Sequence, residues 1–327
     1  MPYLHQWSPA LGETLPHRAL GTGPTPVRAV PGLASGPAAV WLKDESSFGD
    51  GGWGGNKVRK LEWLLPDVER RRRPTILTFG ALGTNWGLAT ALYARDAGIA
   101  TALALIDQPI DAHVRRQLER LDASGATIHR TRTKGRTVAL APWLIARHSS
   151  RFRPPYVLPA GGSSPLGTLG YVETALEIAA QVEAGDLPEP GHVIVPAGSG
   201  GTTAGLALGF ALAGLSTRVV GVVVTDQLRL DREAMGRLAD KSAALLRRRG
   251  ATFATPRLDF EMTTDQLGPG YGEPTPESTA AMERASTEGL TLEPVYTAKA
   301  MAALLDMNER GDLGDRPVLF LNTNGPR

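Results

Sequence analysis

Short β-branched runs alternate with longer amphipathic runs along almost the whole chain. This alternation is typical of parallel strands joined by crossover helices, and it predicts an α/β fold. The predicted strands span residues 39–43, 75–79, 102–106, 126–129, 156–158, 192–196, 218–224 and 317–321. The predicted helices span residues 57–73, 86–97, 111–121, 166–184, 203–212, 231–249, 276–288 and 298–309.

Two stretches dense in glycine or proline, residues 46–55 and 154–164, interrupt this alternation. A chain of 327 residues is long enough for two lobes, and such stretches are where the chain is expected to cross between them. We therefore predict a large domain of residues 1–50 plus 162–327 and an inserted small domain of residues 51–161. A ligand is expected at the strand-to-helix turns that face the cleft.

Composition narrows the possible chemistry. The chain has no Cys, and its six His residues show no paired ligand spacing, so disulfides, cysteine nucleophiles and metal catalysis are not expected. The net charge is only +2 and the Arg clusters stand at predicted helix ends, which argues against a nucleic-acid partner. The N-terminus shows no export signal and no apolar run could span a bilayer, so we expect a cytoplasmic protein without a membrane partner.

A glycine-rich turn, Gly198-Ser199-Gly200-Gly201, follows the predicted strand at 192–196 and opens a helix of small residues. Such a turn exposes backbone N–H groups at a helix N-terminus, where a phosphate binds. A dinucleotide-binding turn is a rival interpretation, although its third glycine is displaced and its expected acid, Asp226, comes late. The glycines could also serve only close packing of strand and helix.

A second glycine loop places Lys57 in the first turn of a predicted helix, within Gly54-Gly55-Asn56-Lys57. The helix dipole and apolar neighbours both disfavour its ammonium form, which is what an amine nucleophile needs. Lys60 lies one turn on and could reach a phosphate. On composition alone, Lys57 and Lys60 are also explained as ordinary surface lysines.

A third turn, residues 80–86, links the predicted strand at 75–79 to the next helix. Its N–H groups could bind a second anion, such as a substrate carboxylate. Thr84 and Asn85 are also good helix caps, and capping alone would explain them.

Together these motifs resemble a known family. The runs WLKDES, GGNKVRKLEWLL, GALGTN, AGGSSPLGTLGYVE, AGSGGTTAGL, EPVYTAKAMAAL and VLFLNT occur in the order found in 1-aminocyclopropane-1-carboxylate deaminases and D-cysteine desulfhydrases. These are fold-type II enzymes that use pyridoxal 5'-phosphate. The resemblance implies a two-domain, three-layer αβα fold like that of tryptophan synthase β, with mostly parallel sheets, a small amino acid as substrate and a homodimer.

The resemblance also assigns residues by motif. Lys57 matches the lysine that forms a Schiff base with the cofactor, Asn85 the asparagine at its ring hydroxyl, and Tyr271 and Tyr296 the two tyrosines at the substrate. The implied catalytic residues are Lys57, Thr84, Tyr271 and Tyr296. The implied cofactor-binding residues are Lys57, Lys60, Asn85, Gly198, Ser199, Gly200, Gly201, Thr202 and Thr323. The implied substrate-binding residues are Thr84, Asn85, Trp86 and Ser163.

One substitution favours the desulfhydrase branch. Thr297 stands where deaminases have an acid for the pyridine nitrogen, and Thr323 resembles the desulfhydrase threonine in that role. A hydroxyl makes the cofactor a weaker electron sink, which favours elimination of a good leaving group. The expected products are an oxo acid and ammonia.

Departures from the family pattern keep the substrate open. Trp86 and Ser164 replace smaller polar or amide residues, and Asn322 and Asn324 interrupt the usual HTGG. A β-replacement synthase, a racemase, a nicotinamide-dependent oxidoreductase and a non-catalytic cofactor-binding paralogue are alternatives.

Overall fold

A computed structural model describes residues 1–50, 53–150 and 153–325. The described residues form ten strands, β1 to β10, in two sheets. Their bounds are Val27–Ala29, Val40–Asp44, Thr75–Ala81, Ala100–Ile106, Thr127–Arg132, Tyr156–Leu158, His192–Ala197, Arg218–Val223, Phe260–Thr263 and Val318–Asn322. The helices α1 to α11 are Tyr3–Trp7, Leu11–Thr14, Asn56–Arg70, Asn85–Asp96, Ala112–Ala123, Lys134–Arg147, Leu169–Ala184, Gly201–Ala213, Arg232–Arg248, Pro276–Thr287 and Thr297–Glu309.

The larger sheet has the strand order β1-β2-β10-β7-β8-β9, in which only β1 runs antiparallel to its neighbour. The smaller sheet, β5-β4-β3-β6, is entirely parallel. Helices cover both faces of each sheet, so strands such as β7 are buried on both sides and have near-continuous apolar sequences. The predicted α/β class with mostly parallel sheets is confirmed.

All eight predicted strands and all eight predicted helices are present, with boundaries shifted by a few residues. Strands β1 and β9, the short helices α1 and α2, and the whole of α6 were not predicted from the sequence. The proposed domain boundaries stay a prediction, and residues 51 and 327, which bound two of the predicted segments, lie outside the described part of the chain.

Helices α7 and α8 pack so closely that two glycines are required between them. A Cβ at Gly205 would lie 2.6 Å from the Thr168 carbonyl oxygen, and one at Gly209 would lie 2.5 Å from Ala175 Cβ. Because these glycines are four residues apart, they share one face of α8. The small residues of α8 therefore allow close packing on α7, which fixes the position of the α8 N-terminus beside the end of β7.

A buried cluster of four charges fastens α3 to the larger sheet. Arg59 donates to Glu45 at 2.9 Å and to Glu177 at 2.8 Å, and Lys43 donates to Glu177 at 2.6 Å. Two cations balance two anions, and all four side chains are at most 3% exposed. This cluster fixes the first turn of α3, which carries Lys57 two residues before Arg59.

Candidate active site

One cavity of about 430 Å³ opens where β3 and β7 end at their carboxyl termini. In parallel α/β structures this edge is where ligands bind. Most of the residues assigned by motif line it: Lys57, Thr84, Asn85, Trp86, Gly198, Ser199, Gly200, Thr202, Tyr271, Tyr296 and Thr323. The remaining three, Lys60, Ser163 and Gly201, adjoin it through the contacts described below.

Lys57 stands in the first turn of α3, after Gly55 at a positive φ of 86°. A Cβ at Gly55 would lie 2.7 Å from the Thr323 carbonyl oxygen, so glycine lets the C-terminal segment close against this loop. Burial lowers the pKa of Lys57 to about 8, and the nearby Glu293 carboxylate only partly opposes the shift. At pH 7 about a tenth of the amine is then neutral, far more than for a lysine with the ordinary pKa.

An anion seat forms at the N-terminus of α8. The Gly201 N–H donates to Ser163 Oγ at 3.0 Å, and Ser163 Oγ lies 2.8 Å from Ser199 Oγ. Lys60 Nζ donates to the Gly161 carbonyl at 3.0 Å and lies 3.4 Å from Ser163 Oγ. Backbone N–H groups, two hydroxyls and an amine therefore converge where the helix dipole favours negative charge.

Lys60 adds a buried amine to this seat. Burial lowers the pKa of Lys60 well below its usual value, and the neighbouring charge of Lys57 lowers it further. A phosphate at the seat would restore the ammonium form, because an opposite charge within a few ångströms offsets desolvation. The Ser163 hydroxyl contacts this seat, and its predicted role at the substrate stays a prediction.

Two tyrosines close one side of the cavity. Tyr296 packs on Gly198, where a Cβ would lie 2.7 Å from the tyrosine ring, and its hydroxyl is 2.6 Å from that of Tyr271. Burial raises the pKa of both phenols; for Tyr296, interaction with Tyr271 adds to the rise. Both hydroxyls are therefore neutral at physiological pH and carry protons to donate.

The turn before α4 caps the helix, which was one of its two predicted roles; the binding of an anion there stays a prediction. Thr84 caps the helix by accepting from the Gly87 N–H at 3.0 Å, and this leaves its own hydroxyl hydrogen for another acceptor. Asn85 Oδ1 accepts from Gln117 at 2.6 Å, which points its amide N–H groups elsewhere in the cavity region. Trp86 donates its indole N–H to Thr78 at 2.8 Å, so its ring lines the cavity while its polar atom is engaged.

Two site residues were missed from the sequence. Glu293 lines the cavity, and its carboxylate accepts from the N–H groups of Tyr296 at 2.6 Å and Thr297 at 2.7 Å, fixing the start of α11. An acid just before a predicted helix start is a capping signal that could have identified it. Gln117, fully buried on α5, gave no local signal because its partner Asn85 is distant in sequence.

The side chains present fit pyridoxal phosphate. The buried Lys57 amine, with its lowered pKa, and the anion seat border the same cavity. The seat has room for an anion because two of its residues are glycines without a Cβ atom. A Cβ at Gly201 would lie 2.5 Å from Ser163 Oγ, and one at Gly161 would lie 2.1 Å from Ser199 Oγ. Within the described residues no group of three or more potential metal ligands occurs, and no helix there could cross a membrane.

The same features argue against a dinucleotide turn. Asp226, the acid expected to bind a ribose, accepts instead from the Tyr271 N–H at 3.3 Å. Lysines do not belong to that fingerprint, yet Lys60 reaches the seat.

Fold and site together define a fold-type II enzyme that uses pyridoxal phosphate. Residues 18–324 match the model of the pyridoxal-phosphate dependent enzyme family, and the chain belongs to that family. It is 34% identical over 317 residues to a D-cysteine desulfhydrase of Salmonella paratyphi A, covering 95% of this chain and 94% of that protein. A D-cysteine desulfhydrase of Salmonella typhimurium is 36% identical over 279 residues, 83% of this chain and 82% of its own length.

Solved structures agree on the fold. The crystal structure of a homologue of ACC deaminase superimposes with a TM-score of 0.84 at 30% identity, covering 99% of this chain and 95% of that one. Threonine deaminase isoform 2 from Solanum lycopersicum gives a TM-score of 0.68 at 13% identity, covering 99% and 84%. The latter likeness concerns the fold alone.

Proposed function

We propose that this enzyme removes the β-substituent and the amino group of a small amino acid, giving an oxo acid and ammonia. The observation that carries the proposal is the single cavity in which Lys57, the anion seat and the tyrosine pair converge. Similarity to D-cysteine desulfhydrases over nearly the whole chain supports elimination from a cysteine-like substrate, and the ACC deaminase homologue supports the related deamination.

Different residues of the chain bind the cofactor and the substrate. Lys60, Ser163, Ser199 and the N–H groups of the glycine loop hold the cofactor's phosphate. Bound pyridoxal phosphate supplies an aldehyde for the substrate amine and an electron sink for charge at Cα. The N–H groups at the start of α4 bind the substrate carboxylate, and Thr84 orients it.

Proton transfer falls to three groups. Lys57 Nζ removes the Cα proton, since a pKa of about 8 leaves enough neutral amine for a general base. Tyr296 donates a proton to the leaving group, and Tyr271 holds the Tyr296 hydroxyl in place through their hydrogen bond. Thr323 lines the same cavity and would offer a hydroxyl, not a carboxylate, to the cofactor's ring nitrogen, which favours substrates with a good leaving group.

The experiment is a product assay on purified protein. The protein as isolated should absorb visible light, and borohydride reduction should fix the cofactor at Lys57. D-cysteine, L-cysteine and aminocyclopropanecarboxylate are then tested for release of oxo acid and ammonia. Product release that persists at the wild-type rate in Lys57→Ala would exclude Lys57 as the base.

The same assay separates the alternatives. A β-replacement synthase needs an added nucleophile, and a racemase inverts Cα without releasing ammonia. A non-catalytic paralogue would keep the visible band but show no spectral change with any amino acid. Localisation in the cytoplasm and a homodimeric state are also part of the proposal; light scattering of the purified protein tests the second.

A further inference from the structure

The cavity continues beyond the cofactor end into a space between α6 and one face of the smaller sheet. We call this space the outer chamber. It is lined by Phe79 of β3, Ala104 and Ile106 of β4, Val138 and Ala141 of α6, and Leu228. All six side chains are apolar, whereas the cofactor end holds the amines, hydroxyls and the anion seat.

The outer chamber exists because small residues meet across the gap. Phe79 and Ala104 are register partners in β3 and β4, and Ala104 faces α6 with only a methyl group. On the helix side Ala141 is equally short, while the larger Leu140, Leu144 and Ile145 pack on the sheet elsewhere. Protein interiors are normally packed without such voids, so a lined space of this kind is suited to a ligand.

The chamber offers few groups to a polar substituent. Thr137 lines the cavity, but its hydroxyl lies 2.6 Å from the Thr131 hydroxyl and donates to the Thr133 carbonyl at 2.9 Å. A polar group placed here would lose its hydration without a matching hydrogen bond, which is unfavourable. An apolar group would instead remove both its own surface and that of the chamber from water.

Apolar side chains also stand at the mouth of the outer chamber. Val138 is 67% exposed and Leu228 is 37% exposed, two large apolar side chains left in water beside the opening. Lys134 also lines the cavity, and its Nζ donates to the Gln227 carbonyl at 3.4 Å, linking α6 to the loop after β8. Exposed apolar side chains that rim a cavity are typical of a binding site for an apolar group.

We propose that the outer chamber binds an apolar β-substituent, so that the substrate class is an S-substituted cysteine whose sulfur carries an alkyl or arylmethyl group. This inference rests on the proposed function. In the reaction the Cα–H and Cβ–S bonds break, and the sulfur leaves with the electron pair and takes up a proton. Cβ then gains a proton to become a methyl group, and one water breaks the Cα–N bond and supplies the keto oxygen. The products are a thiol, pyruvate and ammonium, and no oxidant or reductant is needed.

The test compares S-benzylcysteine with cysteine, each as both enantiomers, on the holoenzyme. We expect kcat/KM for S-benzylcysteine to exceed that for cysteine at least tenfold, chiefly through a lower KM. Ala141→Leu fills the chamber and should lower this ratio at least tenfold. Ala139→Leu, on the exposed side of the same helix, is the matched control and should leave the ratio unchanged.

A second readout needs no turnover of the probe. The inhibition constant of 3-(benzylthio)propanoate against cysteine should be at least tenfold below that of 3-(methylthio)propanoate, and Ala141→Leu should remove the difference. Turnover of cysteine with no preference for the benzyl compounds overturns the outer chamber alone. Absence of oxo acid from every cysteine derivative overturns the proposed function and this inference together.

Discussion

The hydroxyl oxygen of Tyr296 lies 2.6 Å from that of Tyr271, inside the cavity that also holds Lys57. Burial raises the pKa of both phenols, so the pair is neutral and one hydroxyl must donate to the other. Because Tyr296 also packs directly on Gly198, its hydroxyl is positioned relative to the anion seat as well. In the proposed reaction the pair would supply a fixed proton donor, and the Lys57 amine would accept a proton.

Removal of one hydroxyl tests this donor. Tyr296→Phe should lower kcat about 10²- to 10⁴-fold, the usual contribution of a positioned acid, while the visible band of the bound cofactor is kept. Steady-state kinetics and an absorbance spectrum measure both. Tyr156→Phe is the matched control, because that hydroxyl donates to Asp67 at 2.7 Å and does not line the cavity. Equal kcat in the two variants would contradict the role of Tyr296.

The anion seat can be closed by one methyl group. A Cβ at Gly201 would lie 2.5 Å from Ser163 Oγ and 3.1 Å from Lys60 Nζ, so Gly201→Ala should displace both and raise the Kd for pyridoxal phosphate at least tenfold. Titration of cofactor-free protein with pyridoxal phosphate measures it. Gly236→Ala, on α9 with no heavy atom within 4 Å of the added Cβ, should leave the Kd unchanged. A matching Kd in both variants would place the phosphate elsewhere.

The buried ion cluster should be costly to break. Glu177→Gln leaves Arg59 and Lys43 without their shared anion and should reduce the free energy of unfolding by about 3–5 kcal/mol at pH 7. Denaturant unfolding measures this. Glu233→Gln, which removes an exposed partner of Arg229 and Arg237, should cost less than about 1 kcal/mol.

The cost of Glu177→Gln should also depend on pH. Burial alone would raise the pKa of Glu177, but Arg59 and Lys43 outweigh it and lower that pKa from 4.5 to about 2. A lowered carboxyl pKa contributes stability that is present above pH 4.5 and lost as pH falls toward 2. The difference between wild type and variant should therefore shrink across this window. A difference that is constant with pH would show that the carboxylate charge is not what matters.

Lys57 should make the cofactor-free protein more stable at alkaline pH. Its pKa falls from 10.5 to about 8 on burial, so the unfolded chain binds more protons between these values and the free energy of unfolding rises with pH there. Below pH 8 the lysine costs about 3 kcal/mol, at about 1.4 kcal/mol for each pKa unit. Lys57→Met should remove this cost, and its advantage should vanish toward pH 10.5.

Urea unfolding of both cofactor-free proteins at several pH values measures the effect of Lys57→Met. Lys241→Met, on the exposed face of α9, serves as the control and should change the free energy of unfolding little at any pH. An advantage of Lys57→Met that did not change with pH would mean that packing, not charge, causes it.

Strong local patterns made much of the fold predictable. Strand β7 shows a near-continuous apolar run because both of its faces are buried. Lys57 follows a glycine loop, and glycine is needed there because the backbone of the C-terminal segment lies close to Gly55. The elements that were missed lack such patterns. Strands β1 and β9 have only three and four residues, and α6 contains Pro142 and exposes Val138 and Trp143, which spoils its periodicity.

The site was predictable only in part because its contacts are long-range. Motifs brought Lys57 and the glycine loop together, but the contact of Ser163 with Gly201 spans 38 positions and that of Gln117 with Asn85 spans 32. No period in the sequence encodes such a pairing. The contact of Ser163 with the Gly201 N–H is therefore visible only in the folded chain.

The first turn of α3 is held at both ends by partners from the larger sheet and its helices. Arg59 is locked by Glu45 and Glu177, and the loop just before the helix is joined to the C-terminal segment by the Gly54 N–H, 2.9 Å from the Gly325 carbonyl. Lys57 and the N-terminus of α8 are thereby both attached to the larger sheet. The spacing between the amine and the anion seat therefore does not depend on how the smaller sheet packs.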